Sequence, residues 1–514
     1  MRLALLIYGI LNAILYASLL PLWDGFDEPF HYGYVQTLSR QRTLPRLGQS
    51  GLSEEVWQSL RLAPASARVQ RNLPMVMTFG DYFRLDPAAR ARLRTALNSL
   101  PPTLAHVPTE MQNYEAQHPP LAYLPLALAD VLLKDQPLLL RVWGLRLICG
   151  IGAVLAVLLV TLRLAGQMGL PSGYTWTALY LLLSSQMFYA STAHVANDWL
   201  AIPLFGLVIS TCIDLYHSPS AASALRSALA LGAGLLTKAY FLALLPVTAG
   251  VILWLACRRR LGRGPALVFG GALLLAAGPW YARNLLLYGN LPGVRETTES
   301  VPVAALASAA WQMPWWKALV ATARNSLWTG NNSFTAFSAT TSYAMLGLVA
   351  LGALLYLRRW TQGKAAERIA LAACLTYIAA LSYAALLIFI STRGETVAPP
   401  AWHVQALLAP GWCLISLGFS RNRPLGRFVA VTAICSWAYL ISSTYFVKLI
   451  PFYAGYPEPR VRLAQLWGWY GASTNQTWNV LSLTAIMPAG LLLPLAVIVL
   501  VSAVCLAAAV SKRA

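Results

Sequence analysis

Charged residues are scarce in this chain of 514 residues: they make up 11% of it, with 18 acidic against 38 basic side chains. Hydrophobic residues make up 58%, and the mean hydropathy is +0.57. Ordinary soluble domains carry about 25% charged residues, so this composition excludes that class. We interpret residues 1–514 as one all-α polytopic membrane domain.

Cysteine is also sparse, and its positions are informative. The seven cysteines lie in or at the edges of apolar runs, and none falls between residues 23 and 140. This distribution excludes a disulfide framework and a CxxC metal site. The cysteines are therefore interpreted as small core residues.

What the chain has in abundance is long apolar runs. Most reach the roughly 17–25 residues that a helix needs to cross a bilayer. They cover residues 3–22, 142–162, 174–193, 199–216, 225–237, 239–257, 265–282, 342–357, 369–390, 403–419, 428–446 and 485–510. Segment 119–133 is short, broken by Pro125 and carries Asp130, so we expect it to lie at the interface. The prediction is about 12 transmembrane helices, or 13 if segment 119–133 spans.

The net charge is +20, and the basic residues are distributed in a way that predicts the membrane topology. Basic clusters at 258–263, 358–368, 421–427 and 512–513 each follow an apolar run directly. This is the positive-inside pattern, and it argues against a nucleic-acid partner. With twelve spans and a cytoplasmic N-terminus, all four clusters lie inside. Residues 23–140 then form a large outer loop with juxtamembrane helices, and 284–341 and 447–484 form further outer loops.

Polar side chains gather at the outer ends of these spans. The stretch GFDEPFHYGY (25–34) places Asp27, Glu28 and His31 just after the first span. Asp27 followed by Pro29 predicts a helix start with Asp27 as its cap, and His31 is spaced to share a face with both acids. The other candidates are His118 and Tyr123 in QHPPLAY, Asn197 and Asp198 in STAHVANDWLA, Lys238 and Tyr240 in LLTKAYF, Arg283 in PWYARNLLLYGN, and Arg141 at the start of the second span.

Each of these residues has a structural reading: Asp198 as a cap, Lys238 as a snorkelling side chain, Arg283 and Arg141 as interfacial anchors. Their convergence on one face favours function, because ionisable groups near the membrane are costly and usually paired or functional. Carboxylates facing cations at the outer leaflet suit binding of an anionic lipid headgroup.

In the same order, these motifs resemble the GT-C superfamily of integral-membrane glycosyltransferases, which includes protein O-mannosyltransferases and aminoarabinose transferases of lipid A. The similarity rests on the acidic pair Asp27–Glu28, the stretch 118–121 (HPPL), the acid Asp198 before the fourth span, the turn 236–238 (LTK) and the run 280–289. It covers roughly residues 1–300. The stretches RNSLWTGNNSF (324–334) and STRGETVAPPAWH (391–403) match no motif that we can assign.

The resemblance implies a sugar donor on polyprenyl phosphate and an acceptor hydroxyl on a sugar, lipid or protein. It implies Asp27 as the base, with inversion at the anomeric carbon, and Glu28 and Asp198 as further catalytic acids. Lys238 and Arg283, with Arg141, would bind the donor phosphate. His31, His118, Tyr123, Asn197 and Tyr240 would orient the substrates.

No cofactor is required by this scheme, although an acid–histidine set also suits a divalent cation. The expected location is a bacterial inner membrane, with the active site facing the periplasm. Two alternatives stay open from the sequence. One is a transporter or flippase of lipid-linked sugars, and the other is a non-catalytic partner in cell-envelope glycan assembly. A transporter would more often place its polar residues at mid-membrane in paired repeats.

Overall fold

A computed structural model describes residues 1–294, 301–333, 335–456 and 462–514. The first part of the chain contains α1 (Arg2–Leu19), α2 (Glu28–Gln36), α3 (Glu54–Leu62), α4 (Ala67–Asn72), α5 (Phe79–Arg84), α6 (Pro87–Asn98) and α7 (Leu124–Leu132). The middle contains α8 (Leu138–Met168), α9 (Ser172–Leu183), α10 (Gln186–Thr192), α11 (Asp198–His217), α12 (Ala221–Leu235), α13 (Leu245–Cys257), α14 (Arg263–Tyr288), α15 (Val303–Gln312) and α16 (Trp315–Leu327). The last part contains α17 (Ala339–Leu357), α18 (Ala365–Ser391), α19 (Ala401–Val404), α20 (Leu408–Arg421), α21 (Leu425–Ser442), α22 (Ile450–Tyr453), α23 (Leu463–Ala472), α24 (Asn475–Thr484) and α25 (Ala489–Ser511).

All twelve predicted runs are helical, and the chain is a multi-pass membrane protein. Within the described ranges, nine helical segments are long and apolar enough to cross a membrane. The other three predicted spans depart from a single long helix. The third run divides at Ser184 and Ser185 into α9 and α10, the fifth is the 15-residue helix α12, and the tenth divides into α19 and α20. The count of twelve stays a prediction.

Helix α7 has the properties expected of an interfacial helix. Its nine residues extend about 14 Å, far less than the roughly 30 Å of a bilayer core. Leu128 and Leu132 on its surface are exposed. A helix of this length with apolar residues facing outward fits the edge of a membrane better than a span.

The segment between α1 and α8 is a folded unit of short helices and two small sheets. Strand β1 (Gly51–Ser53) pairs antiparallel with β4 (Pro108–Gln112), and β2 (Pro64–Ala65) pairs parallel with β3 (Met77–Thr78). The Asp86 side chain accepts a hydrogen bond of 2.7 Å from the backbone N–H of Ala89 and so caps the start of α6.

The two other predicted outer loops also contain helices. Helices α15 and α16 lie between α14 and α17, and α22 to α24 precede α25. Residues 295–300, 334 and 457–461 of these predicted loops lie outside the described residues. The main apolar core is formed where α1 packs on α8 and α25 and where α12 packs on α11 and α14.

Candidate active site

Asp27 lies in a sharp turn between α1 and α2. Helix α2 begins at Glu28 with Pro29 in its first turn, as predicted. The predicted capping role of Asp27 is wrong, because its φ of 55° turns the side chain away from the N–H groups of α2. The carboxylate instead accepts a hydrogen bond of 2.6 Å from the Tyr114 hydroxyl.

The buried carboxylate of Glu115 contacts two of the predicted histidines. Its Oε2 lies 2.7 Å from Nε2 of His118 and 3.5 Å from Nδ1 of His31. Nδ1 of His31 also lies 2.7 Å from the Tyr123 hydroxyl. We call Asp27, His31, Glu115 and His118 the acid–histidine cluster. Its members come from both ends of the segment between α1 and α8.

The two carboxylates of this cluster have pKa values shifted in opposite directions. Burial and the neighbouring Glu115 charge raise the pKa of Asp27 to about 6, against the hydrogen bond from Tyr114 and the charge of Lys238. For Glu115, burial favours the neutral acid, but His31, His118 and Lys238 outweigh it and hold its pKa low. Burial lowers the pKa of His31 to about 3. Environments that push two carboxylate pKa values apart are typical of acid–base sites.

Lys238 and Asp198 form a buried ion pair beside this cluster. The Lys238 Nζ lies 2.7 Å from Oδ1 of Asp198, and both side chains are about 5% exposed. The backbone N–H of Leu121 donates to the carbonyl of Leu236 at 3.0 Å. This hydrogen bond joins the 118–121 stretch to the 236–238 turn, so the two predicted motifs meet in space.

Asn197 and Tyr240 lie near this ion pair. The Asn197 side chain is within 3.5 Å of the Thr237 carbonyl, and Lys238 Nζ lies 5.6 Å from the centre of the Tyr240 ring. Within the described ranges, the Asn197 Oδ1 and the Tyr240 hydroxyl are buried without a hydrogen-bond partner. Buried polar atoms without partners often mark a place for a ligand or water.

Two of the predicted site residues bind other protein groups instead. Both oxygens of Glu28 pair with the Arg146 guanidinium, at 2.7 and 2.5 Å, and its Oε1 also accepts from the Val195 N–H at 3.0 Å. Arg141 donates to Glu55, to the Tyr32 hydroxyl at 2.7 Å and to the Gln136 carbonyl at 3.0 Å.

Glu28 and Arg141 are therefore fully buried pieces of the framework that fixes the segment between α1 and α8 onto α8. Arg141 has no nitrogen left that points to open space, so we do not assign it to a phosphate. The left-handed backbone at Asp27 explains why Asp27 and Glu28 point to different places despite their adjacency.

We expect a large loss of stability when the Glu28–Arg146 pair is broken. We predict that Arg146→Met lowers the free energy of unfolding by roughly 3–5 kcal/mol, because it leaves a buried carboxylate without a counterion. Thermal unfolding in detergent measures this. Arg163→Met is the control on the same helix: its pair with Asp214 is partly exposed, and we expect about 1 kcal/mol or less. Equal losses in both variants would contradict the prediction.

Arg283 lies at the edge of the site. It is half-buried at the end of α14, with its guanidinium 4.7 Å from the centre of the Trp280 ring and 2.9 Å from the Pro45 carbonyl. Burial raises the pKa of Tyr34, and the charge of Arg283 acts against this rise; the Tyr34 hydroxyl donates to the His118 carbonyl at 2.9 Å. Arg283 is therefore linked to the acid–histidine cluster through Tyr34.

A cavity of about 1300 Å³ opens beside Asp27. Among the predicted site residues that the structure describes, Asp27 is the one that lines it. Tyr114, Phe30 and Trp402 bring aromatic rings to the walls, and Asn72 and Asn325 bring side-chain amides. Parts of the unassigned stretches 324–334 and 391–403 also line the cavity, although Phe334 lies outside the described residues.

Sequence reasoning missed Glu115, Tyr114 and Asp24. The signal for Glu115 was present, because an acid three residues before His118 falls one turn away at the start of the predicted juxtamembrane stretch. Asp24 lay three residues before Asp27 but in a turn with no helical spacing to assign it. Within the described ranges, no group of three or more His, Cys, Asp or Glu side chains is arranged to hold a metal ion.

Comparison with known proteins gives limited matches. No protein-family model matches the chain, and no curated protein matches it in sequence. The structure is similar to that of ArnT from Cupriavidus metallidurans bound to undecaprenyl phosphate, with a TM-score of 0.41, 13% identity, and coverage of 89% of this chain and 73% of that one. For ArnT in the apo state the TM-score is 0.38, the identity 12%, and the coverage 93% and 73%. Similarity at this level assigns no function by itself.

Proposed function

We propose that this protein is a glycosyltransferase that moves a sugar from a polyprenyl-phosphate donor to an acceptor hydroxyl at the membrane surface. The observation that carries the proposal is Asp27: a carboxylate in the wall of a large cavity, held by Tyr114, with a pKa raised to about 6. A base poised near neutral pH beside open space is suited to taking a proton from a bound hydroxyl.

In the proposed step, the acceptor oxygen attacks the anomeric carbon as its proton passes to the Asp27 carboxylate. The bond from the anomeric carbon to the phosphate oxygen breaks, and polyprenyl phosphate departs with that electron pair. One displacement by a single base inverts the anomeric carbon. No cofactor takes part in this step.

Lys238 and Arg283 are the proposed ligands of the donor phosphate. Lys238 is paired with Asp198, so a bound phosphate would replace that carboxylate as its counterion. Arg283 presents a planar fork suited to two phosphate oxygens. His31, His118, Tyr123, Asn197 and Tyr240 would orient the sugar next to this phosphate. The unpartnered polar atoms of Asn197 and Tyr240 support that assignment.

The acceptor would enter through the cavity. Part of its lining, from 321–332 and 395–402, is outside the part of the chain that the GT-C resemblance covers. Aromatic rings and amide side chains can present both stacking faces and hydrogen bonds to a hydroxylated acceptor. The positive-inside pattern supports a position of this cavity on the outer face, which in a bacterial inner membrane would be the periplasmic face.

We expect turnover to increase with pH, because a carboxylate must be ionised to act as a base. Because the pKa of Asp27 is raised to about 6, we expect kcat to fall as the pH drops through about 6 and to reach a plateau above about 7. A pH profile of donor consumption from pH 5 to 8 measures this, with protein integrity checked by gel filtration at each pH. A rate that rises as the pH falls would contradict the role of Asp27.

The test of the function uses purified protein in nanodiscs with a panel of radiolabelled polyprenyl-phosphate sugars and cell-envelope extract as the acceptor. Transfer of label, or slow donor hydrolysis without extract, supports the proposal. If instead the protein in proteoliposomes only moves the labelled lipid between leaflets, the protein is a transporter of lipid-linked sugars and the proposal fails.

A further inference from the structure

The turn that carries Asp27 is strained at both ends. Trp23 has a φ of 65° and Asp27 a φ of 55°, both in the left-handed region. For residues other than glycine this region is energetically unfavourable. Such a conformation persists only where the surroundings hold it, so the contacts of residues 23–27 show what fixes the position of Asp27.

Every backbone carbonyl from residue 23 to residue 26 has a partner from elsewhere in the chain. The Asn332 N–H donates to the carbonyl of residue 24 at 3.0 Å, and its side-chain Nδ2 contacts the carbonyls of residues 25 and 23 at 2.9 and 3.4 Å. Nε2 of His194 lies 3.1 Å from the carbonyl of residue 26. Asn332 alone thus accounts for three of the four.

The Asp24 side chain is held from the same direction. It is 1% exposed, and its Oδ2 accepts a hydrogen bond of 2.6 Å from the Ser333 hydroxyl and another from the Tyr453 hydroxyl. Burial raises the pKa of Asp24 to about 7 despite these donors. Asp24 does not line the cavity in the described structure, so it is placed to act through the turn and not on a substrate.

The segment that supplies these donors is itself fixed to the membrane helices and faces the cavity. Asn331 donates from Nδ2 to the Ala190 carbonyl at 3.1 Å and accepts from the Tyr16 hydroxyl, which also receives the Trp328 Nε1 hydrogen bond at 2.9 Å. Asn332 lines the cavity. The same residue therefore forms part of the proposed acceptor wall and holds the turn that carries the proposed base.

We propose that Asp24 and Asn332 are positioning residues: with Ser333 and Tyr453 they clamp the 23–27 turn so that the Asp27 carboxylate faces the acceptor. The stretch around residues 328–333, which matched no motif, thereby gains a role in the reaction. This inference rests on the proposed function, because it assigns the role of the clamp to the same base.

The test compares Asn332→Ala and Asp24→Ala with the wild type. We expect kcat to fall about 10–100-fold, because small displacements of a catalytic group have effects of that size. The donor KM should change by less than about threefold, since the clamp does not contact the phosphate. Asp24→Asn keeps an oxygen that accepts from Ser333 and Tyr453, so it should recover most of the rate that Asp24→Ala loses.

Asn98→Ala is the matched control. Asn98 is exposed on α6, and it belongs neither to the cavity lining nor to the 23–27 turn. We expect it to keep the wild-type kcat. An unchanged kcat in Asn332→Ala, or a loss that only follows the fraction of folded protein, would overturn the clamp.

Hydrogen exchange separates this inference from the proposed function. In Asn332→Ala, the amides of residues 24–31 should exchange faster than in the wild type, while those of α25 should not change. If the wild type turns over no donor, the proposed function fails, and unchanged exchange in the variant would then refute the clamp independently of any activity.

Discussion

Asp27→Asn is expected to lower kcat about 10²–10⁴-fold while donor binding persists, because the variant removes the base and keeps the shape of the side chain. The Tyr114 hydroxyl can still donate to the amide oxygen, so the turn should stay in place. The measurement is donor consumption under saturating donor, together with the donor Kd in the same nanodiscs.

The same substitution should not destabilise the protein near neutral pH. The folded-state pKa of Asp27 is raised to about 6 from a usual value near 4, so the native state loses stability as the pH rises between these values and the carboxylate ionises. An uncharged Asn escapes that cost, and we expect an equal or higher Tm at pH 7. Glu110→Gln, an exposed acid in β4, is the control and should change neither quantity. Full activity in Asp27→Asn would refute its role.

Lys238→Met should have the second large effect, on both stability and donor use. It leaves the Asp198 carboxylate buried without its counterion, for which we expect a loss of roughly 3–5 kcal/mol in the free energy of unfolding. It also removes a proposed phosphate ligand, so donor Kd should rise. Thermal unfolding and donor binding are measured side by side.

The double variant Lys238→Met with Asp198→Asn separates these two effects. Removing both charges should restore most of the lost stability, since no unpaired ion is left, but it should not restore donor binding. Lys317→Met is the control for loss of an exposed lysine and should behave like the wild type. Recovery of donor binding in the double variant would show that Lys238 acts only as the partner of Asp198.

The fold could largely be predicted because its signal is local. A run of about 20 apolar residues is sufficient to predict a membrane helix, and all twelve runs are helical in the structure. The division of the third run at Ser184 and Ser185 was not predicted, because two serines inside an apolar run do not by themselves stop a helix. The short α7 was anticipated from its length and its proline.

The site could be predicted in part. The predicted topology puts Asp27, His118, Asp198 and Lys238 at one face of the membrane domain, and the structure has them near one another. The pairings of the basic residues on α8 could not be predicted. Whether Arg141 meets a phosphate or Glu55 depends on how a segment about 90 residues away packs against it.

The contact of residues 328–333 with the Asp27 turn could not be predicted from the sequence for a different reason. Asn332 binds backbone carbonyls, which every residue has. The identity of its partner residues therefore gives no sequence signal for this contact. The left-handed conformation of Asp27 is likewise imposed by tertiary contacts. Helical spacing alone predicts that Asp27, Glu28 and His31 share one face, whereas in the structure Glu28 pairs with Arg146.

We propose that this membrane protein transfers a sugar from a lipid phosphate with Asp27 as the base. The most direct test of this proposal is mass spectrometry of the lipid product after wild type and Asp27→Asn, each in nanodiscs, are incubated with a bound polyprenyl-phosphate sugar and extract. We expect free polyprenyl phosphate to accumulate with the wild type, and we expect the variant to bind the donor but leave it intact. Equal release of polyprenyl phosphate by both, or intact donor with both, would contradict it.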